Sequence, residues 1–184
     1  MMIEIYDKML KFFPKNRAEE IQRSVFKTLE EYEINGVTEA DLVPNCKEVL
    51  INLKSKGLKI GVVSGTSDAA VNQALEKFGL RKYVDAVFTR NSPGRMKPSS
   101  DHVLACLRAL NCAPQDAMLI GDTDRDMQAA RKAGVLAIGL LADEDQWMKK
   151  LGVSSVWITR RKKEVEKSAD IIIRDLLELL PLLK

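Results

Sequence analysis

The sequence predicts an α/β fold, a Rossmann-like three-layer arrangement in which helices cover both faces of a parallel sheet. From about residue 58 onward, short apolar runs alternate with amphipathic stretches, as expected when each strand is followed by a helix. The chain has 184 residues, of which 46% are hydrophobic, so it can bury one full core. Polar motifs follow three of the apolar runs, at the strand ends where such folds place their sites.

The first 57 residues differ from the rest, because they show helical periodicity and no convincing buried strand. The clearest helix is predicted at 18–33, where Ile21 and Leu29 share one side and charged residues occupy the other. A second helix is predicted at 45–56 and ends at Gly57, directly before the first strand. This part of the chain is therefore expected to be helical.

The alternating β-α pattern accounts for the remaining elements in chain order. Ser67 is the predicted N-cap of the first helix of this repeat, and Gly134 is the predicted C-cap residue of the third. Strands are predicted at 58–63, 85–89, 117–120, 135–141 and 169–173, and helices at 67–78, 99–110, 124–133 and 175–183.

The charge balance argues against a dedicated nucleic-acid-binding protein. The 29 basic and 26 acidic residues give a net charge of +3 that is spread along the sequence, whereas such proteins concentrate basic residues on one face. The most basic stretch, 160–163, is followed at once by acidic residues, so we interpret it as a solvated helix face. No nucleic-acid partner is expected.

The cysteines and the hydropathy pattern predict a cytoplasmic protein with free thiols and no membrane partner. The three cysteines are an odd number without metal-type spacing, and the sequence shows no secretory leader and no apolar run long enough to span a bilayer. Cys106 lies in an apolar helical pattern, which favours a small core residue over a nucleophile.

The first polar motif, 62–66, lies where the first predicted strand ends. The Ser64 hydroxyl and the backbone amides of Gly65 and Thr66 are suited to binding phosphate oxygens. Serine and glycine also end many strands, so this segment taken alone is more typical of an ordinary turn and helix cap.

The second motif, 94–98, places Lys97 in a turn between a strand and a helix, with Pro98 fixing the exit of the chain. An ammonium group there can neutralise a phosphoryl group and nearby carboxylates. A lysine in a loop is more often simply solvated, so this motif is also weak by itself.

The third motif, 121–126, is more specific, because it crowds Asp122, Asp124 and Asp126 at a junction between strand and helix. Such crowding is costly unless a cation compensates it, and hard carboxylate oxygens suit magnesium. Capping of the helix N-terminus would explain one of these acidic residues but not three.

Taken together, the three motifs resemble those of the haloacid dehalogenase superfamily, closest to its phosphoglycolate-phosphatase-like branch. The resemblance covers roughly residues 40–184 and is strongest in the stretch LIGDTDRDMQAARKAG. It implies a HAD-like fold, a small phosphorylated metabolite as the partner and Mg²⁺ as the cofactor.

The resemblance also implies roles for single residues. Ser64, Gly65, Thr66 and Lys97 would bind the substrate phosphate, Lys97 and Asp122 would be catalytic, Asp122 would ligate magnesium, and Asp126 would be a ligand or would orient Lys97. Asp124 is expected to be an acidic residue in the first turn of a helix. His102 matches no role in the family and is expected to be a surface residue.

One part of the family pattern is missing from this sequence. In the family, hydrolysis of the phosphate ester depends on a strand that ends in Asp-x-Asp-x-Thr or Asp-x-Asp-x-Ser. The first aspartate attacks phosphorus, and the second protonates the leaving oxygen. The nearest approach is Asp7, which follows a short apolar run, but the second aspartate position holds Met9. Helical spacing over 3–13 favours a helix there, so 1–42 resembles the small helical cap of the family and 43–184 its α/β core.

In the family the missing strand lies in the middle of the sheet, and each buried backbone group left without a partner costs about 1–3 kcal/mol. Four solutions are open: the N-terminal residues used as a strand, direct pairing of the flanking strands, a strand from another copy, or residues upstream of Met1. An exposed gap would also favour a homodimer.

The leading hypothesis is therefore a magnesium-dependent phosphatase, with phosphoglycolate as the substrate suggested by the branch, that has little or no activity without a nucleophile strand. The alternative is a non-catalytic relative that binds a phosphorylated ligand or a protein partner. A phospho-accepting receiver domain is disfavoured, because receivers place their acidic pair before the hydroxyl and the lysine, whereas this chain places it after them.

Overall fold

Five short parallel strands alternate with helices in residues 9–142 and 154–183, the parts of the chain that the computed structural model describes. The elements are α1 (Lys15–Glu39), α2 (Cys46–Ser55), β1 (Gly61–Val63), α3 (Asp68–Lys77), β2 (Ala86–Phe88), α4 (Asp101–Leu110), β3 (Met118–Gly121), α5 (Asp124–Ala133), β4 (Leu136–Leu140), α6 (Ser155–Ser168) and β5 (Ile171–Ile173). Short 3₁₀ helices cover Arg81–Tyr83, Pro114–Asp116 and Leu176–Leu182.

The predicted α/β fold is confirmed, and the element ends differ from the predicted ones in ways that have local causes. Ser67 caps α3 by accepting a hydrogen bond from the Ala70 amide, and Gly134 ends α5 with a φ of 74°, as expected. The C-terminal helix is a 3₁₀ helix that contains Pro181, which cannot donate a backbone hydrogen bond. Most of the helix predicted at 3–13 lies outside the described residues.

The strands form two separate parallel sheets. β1 pairs with β2, with Gly61 opposite Ala86, while β4 pairs with β3 on one side and with β5 on the other. Within the described residues β1 and β3 are not paired, so direct pairing of the strands that flank the predicted gap does not occur.

The core surrounds both sheets and is densest beneath α5. Met127, Ala129 and Ala130 of this helix are fully buried against the β3–β4–β5 sheet, where the small alanine side chains let the helix approach closely. On the opposite face, Leu179 of the C-terminal 3₁₀ helix packs with Val49 of α2. These helices on both faces complete the three layers.

A cavity of about 490 Å³, here called the slot, lies between the two sheets. Residues of β1, β3, α4 and the C-terminal 3₁₀ helix line it, and most of them are apolar. The buried Cys106 also lines the slot, which confirms that it is a core residue. Gly61 needs to lack a side chain, because a Cβ there would overlap the sulfur of Cys106.

Within the described residues, β1 and β3 each have one edge without a partner strand, and these two edges line the slot. The Ser64 amide donates to the Phe88 carbonyl, so alternate β1 residues turn toward β2 and the backbone groups of Gly61 and Val63 turn the other way. On β3 the same alternation turns Met118 and Ile120 away from β4. The slot therefore offers two strand edges to an extended segment.

The long helix α1 packs on α3 beside the β1–β2 sheet. The Lys77 ammonium group of α3 donates to the carbonyls of Val37, Thr38 and Ala40 at the C-terminal end of α1, and so fixes that end. Among the described helices, none is both long and apolar enough to cross a membrane. The assignment of 1–42 as a cap separate from a core at 43–184 stays a prediction.

Candidate active site

The loop after β1 presents hydroxyl and amide groups at the end of the strand. The Thr66 amide donates to Ser64 Oγ over 3.1 Å, and the Ser64 amide is held by the Phe88 carbonyl at 2.8 Å. The loop runs directly into the N-terminus of α3, whose dipole favours anions. A Cβ at Gly65 would meet nothing within 4 Å, so the space above this loop is open.

Lys97 connects this loop to the third motif. Its Nζ donates to the Val63 carbonyl at 2.8 Å and lies 2.5 Å from Asp126 Oδ1. The lysine and aspartate side chains are only 19% and 6% exposed, so the pair is held largely away from solvent. One ammonium group therefore connects the end of β1 with the first turn of α5.

Asp126 is fixed through both of its carboxylate oxygens. While Oδ1 faces Lys97, Oδ2 accepts hydrogen bonds from the Thr123 amide at 3.0 Å and the Thr123 hydroxyl at 2.5 Å. Thr123 and Asp126 form a capping box at the start of α5. A Cβ at Gly121 would overlap the side chain of Asp126, which explains the glycine at the end of β3.

Asp122 lies apart from the Lys97–Asp126 pair and has a different partner. Its Oδ2 is 2.6 Å from Nη1 of Arg161 in α6. The Asp122 side chain is 49% exposed, whereas that of Arg161 is only 5% exposed. Asp124 occupies the first helical position of α5, as expected, and accepts a hydrogen bond from the Gln128 side chain at 2.6 Å.

The burial of Arg161 corrects the prediction that 160–163 forms a solvated helix face. Ile158, Arg161 and Val165 are the buried residues of α6, and their spacing places all three on one side of the helix. The sequence contained this signal, because Arg161 interrupts an otherwise apolar helical stripe. The run of basic residues around it concealed the pattern.

The prediction that His102 is a surface residue is wrong, because it is fully buried in the first turn of α4. It shares the core-facing side of the helix with Val103, Cys106 and Leu110, so helical spacing carried the signal here too. Both ring nitrogens lack a hydrogen-bond partner among the described residues. The ring packs beside Gly94, at the start of the loop that carries Lys97.

An ion pair that the sequence did not reveal joins α1 to residues 64–67, here called the phosphate loop after their predicted role. Both oxygens of Glu33 contact the buried guanidinium group of Arg90, at 2.6 and 2.9 Å, and Glu33 also accepts the Ser67 amide at 3.0 Å. The ring of Phe26 lies 5.0 Å from Arg90. Burial raises the pKa of Glu33, but the hydrogen bonds from Arg90 and Ser67 outweigh it and hold the pKa below its usual 4.5.

The carboxylates of the third motif could supply only some of the ligands of a magnesium ion. The described residues contain no group of three or more histidine, cysteine, aspartate or glutamate side chains placed to hold one ion. Asp122 offers a half-exposed carboxylate, whereas both oxygens of Asp126 already have partners. Magnesium in proteins is held by one or two carboxylates together with waters and substrate phosphates. Asp122 therefore fits a site that other oxygen ligands must complete.

The chain is similar to curated bacterial proteins along its β-α repeat. It is 35% identical over 100 residues to a phosphoglycolate phosphatase of Aquifex aeolicus, a match that covers 54% of this chain and 47% of that protein. It is 30% identical over 135 residues to a protein of Clostridium perfringens named as a candidate pyrophosphatase, covering 72% of this chain and 60% of that protein. The chain thus spans about half the length of the curated relatives it matches.

Solved structures agree in fold. A phosphonoacetaldehyde hydrolase-like protein from Oleispira antarctica superposes with a TM-score of 0.72 at 19% identity, covering 89% of this chain and 64% of that one. At this identity the likeness concerns the fold alone. The family model for haloacid dehalogenase-like hydrolases matches residues 2–140, which include β1 to β4 and all three motifs. The chain accordingly belongs to the haloacid dehalogenase-like hydrolase family.

Proposed function

We propose that this protein is a magnesium-dependent phosphatase of a small phosphorylated metabolite, whose catalytic form carries an additional strand in the slot. The contact pair made by Lys97 carries the proposal. Its ammonium group touches both the Val63 carbonyl and Asp126, and so places one positive charge between the end of β1 and the third motif.

Each motif has a separate task in this proposal. The Ser64 hydroxyl and the amides of Gly65 and Thr66 bind the phosphate oxygens in the open space above Gly65. Lys97 neutralises the phosphoryl charge, and Asp126 orients Lys97, since Thr123 already holds the other oxygen of Asp126. Asp122 would hold magnesium, which supplies charge neutralisation at the phosphoryl oxygens when bound.

The nucleophile must come from an extended segment, since the sequence has no Asp-x-Asp-x-Thr motif. A segment parallel to β1 and β3 would pair with both edges of the slot and end beside Lys97, where the carboxyl ends of the two strands meet. An aspartate at that end would face a bound phosphate. Without this segment, we expect little or no hydrolysis.

The relatives suggest a class of substrates and not a single compound. One of the curated relatives is named a phosphoglycolate phosphatase and another a candidate pyrophosphatase, so phosphoglycolate and pyrophosphate are the first substrates to test. Because these relatives are named as enzymes, the non-catalytic alternative is not favoured. From the sequence we also propose that the protein is cytoplasmic and forms a homodimer.

The test compares the chain with a fusion in which a strand ending in Asp-x-Asp-x-Thr precedes Met1. The fusion needs a long linker. Since Lys15 lies about 27 Å along α1 from Glu33, which contacts the phosphate loop, a Gly/Ser linker of about 25 residues spans the distance. Turnover of p-nitrophenyl phosphate with magnesium is expected from the fusion and not from the chain alone.

The matched control replaces the first aspartate of the fused motif by asparagine, which keeps the strand and removes the nucleophile. Seating of the strand is measured separately, through alkylation of Cys106. Burial raises the pKa of this thiol to about 11, and the thiol lines the slot, so a seated strand should slow its alkylation further. A fusion that protects Cys106 yet does not turn over any of the three substrates would contradict the proposal.

A further inference from the structure

Arg161 has no counterpart among the predicted site residues, yet its guanidinium group contacts the predicted metal ligand. Nη1 lies 2.6 Å from Asp122 Oδ2 and 3.4 Å from the Asp122 carbonyl oxygen. The arginine approaches from α6, which packs on α5, so the contact joins α6 to the turn between β3 and α5. Its side chain is nine-tenths buried, whereas the carboxylate that it contacts is half exposed.

Two ion pairs therefore lie at this end of the sheet. Lys97 neutralises Asp126, and Arg161 neutralises Asp122. A divalent ion that binds Asp122 would lie about 2.0–2.1 Å from a carboxylate oxygen, and would come close to the guanidinium charge. Repulsion between like charges is strong in a partly buried site, so the ion and Arg161 compete for the same carboxylate.

We propose that Arg161 is an internal counter-cation that a divalent ion must displace from Asp122, and that it thereby sets the metal affinity of the site. This inference rests on the proposed function in taking Asp122 as the metal ligand. Trp157, one turn earlier on α6, gives the displaced guanidinium a second contact, because its ring centre lies 5.9 Å from the Arg161 Cζ atom. Arg161 is thus a positioning residue for the metal and not a catalytic one.

A consequence is that the metal should enter together with an anion. Lys97 contacts Asp126 and Arg161 contacts Asp122, so a divalent ion that binds alone would add positive charge beside two cations. A phosphate group on the loop after β1 would supply the missing negative charge. We therefore expect inorganic phosphate to strengthen metal binding to the unaltered chain.

The test measures Mn²⁺ affinity of the chain by electron paramagnetic resonance, with and without inorganic phosphate. Arg161→Met should bind Mn²⁺ at least ten-fold more tightly than the unaltered chain in the absence of phosphate, and the benefit of phosphate should shrink in this variant. Arg160→Met is the matched control, because Arg160 is exposed on the same helix and pairs with Glu164. It should leave the affinity unchanged, and adding Asp122→Asn to Arg161→Met should abolish the gain.

Equal or weaker Mn²⁺ binding by Arg161→Met, including no detectable binding by either protein, would overturn the proposal. Thermal unfolding of Arg161→Met and of Arg161→Gln gives the second measurement. If both variants lose their fold, Arg161 is a structural residue that no ion can displace, and the proposal fails. Because the readout is metal affinity, this outcome is independent of whether the strand fusion hydrolyses phosphate esters.

Discussion

Lys97 and Asp126 show at the scale of single residues why the candidate site is rigid before any ligand binds. The two charges are 2.5 Å apart and largely buried, so removing either one would leave the other without its main partner. Thr123 then fixes the second oxygen of Asp126, which leaves the carboxylate little freedom to turn toward a metal. The contacts thus favour separate roles in the proposed function, with Asp126 orienting Lys97 and Asp122 holding the metal.

His102 provides a stability prediction at the same scale. It is fully buried, and neither ring nitrogen has a partner among the described residues. Burying an unsatisfied polar group costs about 1–3 kcal/mol, and an apolar side chain of similar size avoids that cost. His102→Leu is therefore expected to raise the free energy of unfolding, measured by urea denaturation, by about 1 kcal/mol or more.

The control for this change is His102→Asn, which keeps two polar groups in the same pocket and should destabilise the protein. A His102→Leu variant that is less stable than the unaltered chain would indicate that the imidazole binds something in the folded protein. In that case the ring would be a functional neighbour of the Lys97 loop and not a tolerated core residue.

The sequence predicted some site residues and not others for a physical reason. Ser64, Lys97 and Asp126 are found because each follows a strand in a short local pattern, and parallel strands bring such ends together. Arg90, Glu33 and Arg161 act through partners far away in the chain, which no local pattern reveals. Helical spacing could have predicted the burial of Arg161 and His102, but not the contact between Arg161 and Asp122.

At the scale of elements, helix ends were more predictable than helix lengths. Caps are local, so Ser67 and Gly134 could be assigned from the sequence alone. The helix predicted at 18–33 extends instead over Lys15–Glu39, and Lys77 of α3 holds the carbonyls of Val37 and Thr38 in the extension. Tertiary contacts decide such extensions.

The pH dependence of stability follows from the contact between α1 and the phosphate loop. The folded-state pKa of Glu33 lies below its usual 4.5, so near that pH the unfolded chain binds more protons than the folded one. The stabilisation by Glu33 is therefore fully present above pH 4.5 and is lost as the pH falls through the folded-state pKa.

Glu33→Gln should accordingly lower the free energy of unfolding by about 1.5–3 kcal/mol at pH 7, the range for a hydrogen bond to a charged group. The difference from the unaltered chain should shrink steadily as the pH falls below 4.5. Glu31→Gln, an exposed change on the same helix, should show neither effect. A loss of stability that is equal at pH 3 and pH 7 would mean that the charge of Glu33 is not what holds α1.

At the scale of the whole molecule, the two sheets share no strand pairing within the described residues, and Lys97 links the end of β1 to Asp126. The sequence predicted the five described strands, since each is a compact apolar run, and the family resemblance implied a gap between them. It could not predict how the gap is resolved, because that depends on whether two distant edges approach each other. The structure keeps them apart and leaves a slot with apolar walls.

A strand seated in the slot should therefore stabilise the entire molecule and not only the site. The fusion that carries asparagine in place of the first aspartate tests this without any chemistry. Each new hydrogen bond to the backbone edges at Gly61, Val63, Met118 and Ile120 should contribute about 0.5–1.5 kcal/mol. Burial of the slot walls should also increase the slope of unfolding free energy against urea, since that slope scales with buried surface.

The matched control places a proline in the centre of the fused strand, which removes one backbone hydrogen-bond donor and keeps the length of the strand and the linker. If both fusions unfold at the same urea concentration as the chain alone, with the same slope, the two sheet edges do not receive a strand, and the nucleophile would have to approach Lys97 by another route.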